Sequence, residues 1–154
     1  MNKPLLIAAL MTAFIAAVHL FAGGADVAAP LLASSLAEEP RLTLYAVWHL
    51  VSVTLVLSAI ALYVSALPQH AVASRYLALF ISILWLGFGA VFLVVAFTQP
   101  GEGLLLKMPQ WILFLPVGVL GLWGLFSRPV RKAGRTHGVQ YAGSYPNIHQ
   151  HPQR

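Results

Sequence analysis

Two histidines, His19 and His49, lie inside long apolar runs, where an ionisable side chain is costly and marks a functional site by default. A neutral imidazole ligates a transition metal or a b-type haem, and its titration near neutral pH suits proton transfer or pH sensing. With the runs read as helices, His19 falls about one turn inside the end of the first, and His49 about one to two turns inside the start of the second. Their depths differ by less than a turn, so the two rings are expected to approach each other near the mouth of a helix bundle. Asp26 follows Gly23-Gly24, where a sharp turn would bring its carboxylate back toward them. His19, His49 and Asp26 are therefore the candidate metal ligands, with Glu38, Glu39, Gln99 and Gln110 as looser candidates on the same side.

A plainer role competes with this chemistry. Histidines within a bundle also hydrogen-bond to backbone carbonyls, to Ser52 or to each other, each bond fixing a helix contact by about 0.6 kcal/mol. Two histidines without a local motif specify far less than a full metal-binding spacing, so the structural role leads and the metal or haem role follows, with a proton or small-ligand pathway third. Trp48 reads as an interfacial anchor and mid-helix Trp85 as packing. The pair His149 and His151, in a polar tail, makes a poor metal site. The chain has no cysteine, which excludes disulfides, thiolate metal sites, iron–sulfur clusters and a catalytic thiol. No serine is paired with a recognisable base, and there is no intramembrane carboxylate pair or nucleotide motif, so nothing argues for an enzyme.

The elements that must position these residues follow from composition. The chain is 59% hydrophobic and 8% charged, against about a quarter charged in a soluble domain. Four apolar runs, Pro4–Ala22, Thr43–Leu67, Tyr76–Thr98 and Gln110–Ser127, are each near the roughly 20 residues a spanning helix needs. Gly, Pro and charged residues mark the intervals between them: an outer loop at 23–42, a turn at 68–74 and a second outer loop at 99–109. The first run exceeds the roughly 7–15 residues of a secretory signal core, so it reads as a retained span; cleavage there would remove His19 and leave three spans.

Charge sets the expected orientation. Lys3, Arg75, Arg128, Arg131, Lys132 and Arg135 flank one side, which is expected to be cytoplasmic, while Arg41 and Lys107 flank the other. Asp26, Glu38, Glu39 and Glu102 all fall on the outer side. The net charge of +5 thus has an explanation in topology and not in nucleic-acid binding. Residues 1–127 read as a four-span domain. Residues 128–154 read as a cytoplasmic tail, basic and then polar, which is expected to be disordered and whose basic start suits anionic lipid headgroups.

Helices in a bilayer meet along stripes of small residues. The expected stripes are Ala8, Thr12, Ala16 and His19; Ala46, His49, Ser52, Val56 and Ala59; Ala78, Ser82, Trp85, Gly89, Phe92 and Ala96; and Phe114, Gly118, Gly121 and Leu125, with Pro116 bending the last helix. Short connections make an up-down-up-down bundle the simplest arrangement.

The segments His19-Leu20-Phe21-Ala22-Gly23-Gly24, Pro30-Leu31-Leu32-Ala33-Ser34, Tyr45-Ala46-Val47-Trp48-His49 and Pro109-Gln110-Trp111 resemble small four-helix proteins of the bacterial inner membrane whose function is uncharacterised. That resemblance covers the four spans and not the tail. It implies a four-helix fold in a bacterial inner membrane and brings no activity or site residue with it. The expectation is an all-α, four-helix integral membrane protein with both termini cytoplasmic. It is read as non-enzymatic and as an accessory subunit or homo-oligomer. The alternatives are a metal or haem b protein and a small transporter or proton-responsive component.

Overall fold

A computed structural model of the 154-residue chain describes residues 1–127. The tail, with its expected disorder and its His149 and His151, lies outside the described residues. Among the described residues there are four long helices and no strand: α1 at Lys3–Gly23, α2 at Glu38–Ala66, α3 at Arg75–Thr98 and α4 at Gln110–Phe126. Local chemistry sets their ends. Asn2 caps α1 by accepting the Leu5 N–H at 3.2 Å, and Pro4 occupies the first turn, where its missing N–H has no bond to make. Glu38 and Glu39 stand in the first turn of α2, at the positive end of its dipole, and α2 stops just before Pro68.

The helices alternate in direction. Asn2 at the start of α1 donates its backbone N–H to Ala66 O at the end of α2, 2.9 Å away, and its side-chain amide to Gly124 O near the end of α4, 2.7 Å away. One residue thereby ties three helix ends together. Close approach between α3 and α4 runs antiparallel, Gly89 lying by Leu115, Leu86 by Gly118 and Ser82 by Gly121. Contacts are most extensive between α3 and α4 and between α1 and α2, intermediate between α1 and α4, and slack between α2 and α3. The four helices therefore form a ring in chain order, up-down-up-down, with one loose seam.

Three of these helices are long and apolar enough to cross a membrane, and α4, at 17 residues, is apolar but shorter. The exterior is unlike that of a soluble bundle, and several hydroxyls lie among the apolar residues of the interior. Thr12, Ser58, Ser65 and Ser82 are buried at 1% exposure or less, while Phe14, Leu50 and Phe80 on the outside are each more than 60% exposed. The interior combines small residues with Leu5, Leu55, Leu62 and Val117 and with Trp85, fully buried with its ring edge-on to Phe114 at 5.3 Å.

Two expectations need correction. The outer loop expected at 23–42 is mostly helix. α1 runs on through a π-helical stretch, Gly24–Ala28, into Ala29–Leu32, and α2 begins at Glu38. Gly23 and Gly24 keep ordinary right-handed backbone angles, since glycine in a helix costs only about 1 kcal/mol and does not by itself break one. The wider i→i+5 register, visible in the Ala29 N–H bond to Gly24 O, precedes Pro30, which has no N–H to offer, and Pro40 falls in the tolerant first turn of α2. The second correction concerns the inward face of α2. Ala46, His49 and Val56 are exposed, and the buried stripe is Ser52, Leu55, Ser58, Leu62, Ser65 and Ala66. The stripes expected on α1, α3 and α4 face inward along most of their length, and α4 runs unbroken through Pro116.

Candidate functional site

α1 and α2 bring His19 against Trp48. The imidazole stacks on the indole with ring centroids 3.7 Å apart and planes 17° from parallel. Its Nε2 lies 3.1 Å from Ser52 Oγ and 3.3 Å from the Trp48 carbonyl, to which Ser52 also donates at 3.1 Å. With its hydrogen on Nε2, the imidazole donates to both oxygens and closes a triangle of polar atoms between the two helices. The helical period explains the grouping, because Trp48 and Ser52 are four residues apart and share one face of α2.

Gly23, four residues beyond His19, completes this arrangement. A Cβ there would meet the far end of the Trp48 ring at 2.5 Å, so only glycine admits the indole at this depth. The indole is thus held by the His19 ring and the Gly23 backbone, one turn apart on α1. Gly23 was expected as a turn and Trp48 as an interfacial anchor. The signal for their pairing was the i, i+4 spacing of His19 and Gly23, which places them on a common face.

The other candidates lie apart from this contact. His49 is exposed and meets Tyr45 of its own helix edge-on at 4.6 Å, the i, i+4 relation again. Asp26 is exposed within the π-helical stretch, and Glu38 and Glu39 are exposed at the start of α2. Among the described residues, no group of three or more His, Cys, Asp or Glu side chains gathers in a geometry able to hold a metal ion. The arrangement offers a half-buried imidazole already hydrogen-bonded to its neighbours and a separate exposed one. Chemically, the His19 group joins helices, since its Nε2 faces protein acceptors and its ring face is covered.

At the centre of the bundle, Ser58 Oγ and Trp85 Nε1 are buried without a hydrogen-bond partner, as is Gln110 Oε1 at the start of α4. At the end where α1 begins, a cavity of about 980 Å³ is lined by Lys3, Arg75, Val72 and Phe126 among others. A smaller groove of about 250 Å³ adjoins it at Arg75, Tyr76, Leu79, Leu125 and Phe126. No protein-family model, no curated protein and no solved structure matches the chain.

Proposed function

We propose that the chain is a non-enzymatic, four-span protein of the bacterial inner membrane, with both termini cytoplasmic, that serves as an accessory subunit through its helix faces. The observation that carries this reading is the apolar exterior of long helices, with Phe14, Leu50 and Phe80 outside, while hydroxyls such as Thr12 and Ser82 lie within. In water that surface would be an aggregation hazard, whereas in lipid it is the expected exterior, and small or polar residues then supply the helix contacts. The His19 geometry supports the non-enzymatic part, since a ring stacked on Trp48 with Nε2 directed at Ser52 and a carbonyl acts as a fastener.

The test begins with fractionation. The protein is expected in membranes that resist an alkaline carbonate wash, and purification in mild detergent is expected to return a stoichiometric partner or a discrete homo-oligomer. A reproducibly bare monomer overturns the accessory role. The visible spectrum and metal content of the same sample, beside His19→Ala/His49→Ala, test the remaining point. Stoichiometric haem or metal lost in the variant would convert the histidines into a cofactor site.

A further inference from the structure

Lys3 and Arg75 are exposed cations from different helices, α1 and α3, yet they line one cavity. Its volume, about 980 Å³, is at the upper end of the roughly 300–1,000 Å³ typical of ligand pockets. The Met1 amino group end also borders it, and Ser127, on the far rim, is followed in sequence by Arg128, Arg131 and Lys132. The chain's four side-chain carboxylates, at Asp26, Glu38, Glu39 and Glu102, all belong to the opposite end of the bundle, so none neutralises the cations here. Asn2 is already engaged as cap and tie, so Lys3 and Arg75 are the cationic side chains open to an occupant. Between the cations the walls are apolar, from Pro68, Val72, Leu125 and Phe126.

The adjoining groove shares Arg75, Leu125 and Phe126 with the cavity and adds Tyr76 and Leu79, about one turn of α3. A largely apolar cavity bordered by two cations matches one class of molecule: an anionic headgroup with a hydrocarbon chain attached. We infer that this cavity binds the phosphate of an anionic phospholipid, with Lys3 and Arg75 as its partners and the start of an acyl chain against Val72, Leu125 and Phe126. Arg75 supplies the planar fork that pairs with two phosphate oxygens, and Lys3 supplies a point charge. The inference rests on the proposed membrane location, with this end at the cytoplasmic face.

The experiment uses the purified full-length protein in neutral detergent, with native mass spectrometry and titration of phosphatidylglycerol against phosphatidylcholine. Each cation near the headgroup is expected to contribute roughly fivefold in affinity, so Lys3→Gln/Arg75→Gln is expected to weaken phosphatidylglycerol retention roughly 25-fold. Arg41→Gln/Lys107→Gln, which removes the cations at the opposite end of the bundle, is expected to retain it, and Arg75→Lys with Lys3 intact is expected to lose only a fraction. Gel filtration and helicity of each variant show that the fold persists. Equal retention of the two lipids, or phosphatidylglycerol binding that survives the double substitution, overturns the inference. So does binding that depends on Lys3 and Arg75 for inorganic phosphate but not for phosphatidylglycerol. Recovery of the protein in the soluble fraction before any detergent is added would instead mark failure of the membrane reading itself.

Discussion

At the scale of the residue, His19 and His49 look equivalent in the sequence and are not equivalent in space. His19 makes a ring stack and two polar contacts across the α1–α2 interface, while His49 faces outward beside Tyr45. The substitutions should therefore diverge. His19→Phe keeps the stack and loses the polar contacts, for an expected cost of about 1 kcal/mol, whereas His19→Ala loses both, for about 2 kcal/mol. His49→Ala should stay within about 0.5 kcal/mol of the parent. Equilibrium unfolding in mixed micelles measures all three, and a larger effect at His49 than at His19 would refute the fastener. A second contrast concerns hydroxyls. Ser82 donates to the Ala78 carbonyl at 2.6 Å, while fully buried Ser58 Oγ has no partner. Ser58→Ala removes an unsatisfied group and is expected to stabilise by about 1 kcal/mol, and Ser82→Ala is expected to cost a similar amount. Opposite signs in the same unfolding assay distinguish these two buried serines, which composition alone cannot separate.

At the scale of the element, glycines divide by what lies across from them. A Cβ at Gly118 would approach the Leu86 side chain to 2.6 Å and Ser82 O to 2.8 Å, and one at Gly121 would collide with Ser82 Oγ, so alanine at either position pushes α3 and α4 apart. Each substitution is expected to cost about 2 kcal/mol, from overpacking and lost contacts. At Gly24 and Gly87 a Cβ meets nothing within 4 Å, and alanine there should be neutral or add about 0.5 kcal/mol of helix stability. Thermal unfolding of the four variants checks the division; equal losses at all four would mean that glycine matters here for flexibility and not for approach. The same residues show how far the sequence could be read. The small-residue stripes located the packed faces of α1, α3 and α4, because in lipid close approach depends on side-chain size. On α2 the rule misled, since His49 and Ala46 were counted as inward for being polar or small, whereas the face is fixed by Ser52, Leu55 and Ser58 one step around the helix. Local residue type also hid the helical course of 24–32, which depends on a register shift ahead of Pro30. In the histidine site, Ser52 was legible as a partner, but the role of Gly23 required knowing that the Trp48 indole crosses over it.

At the scale of the whole molecule, the two hairpins differ in length, and the difference gives the protein a direction. α4 has 17 residues, about 26 Å at 1.5 Å per residue, close to the thickness of a bilayer core. The run Lys3–Leu32 has 30 residues and α2 has 29, about 44 Å each. Both hairpins share a common base, where Asn2 joins Ala66 and Gly124. Measured along the helices, the α1–α2 hairpin therefore reaches about 18 Å beyond the start of α4, and about 8 Å beyond the end of the 24-residue α3, on the side that carries Asp26, Glu38 and Glu39. His19 lies 17 residues from Asn2, about 26 Å along α1, so its stack on Trp48 falls at about the level where α4 begins. In the proposed orientation the hairpin tip projects outside the cell membrane, and the basic base, with Lys3 and Arg75, remains in the cytoplasm. The chain lacks cysteine, so single replacements report position without background. Ser35→Cys at the tip and Ala73→Cys at the base are both at exposed positions. A membrane-impermeant maleimide added to cells with a permeabilised outer membrane should label Ser35→Cys at once and Ala73→Cys only after the inner membrane is opened. The reverse order would invert the topology and move the proposed lipid site to the outer leaflet, and equal labelling of both without opening the membrane would mean that the bundle does not span it.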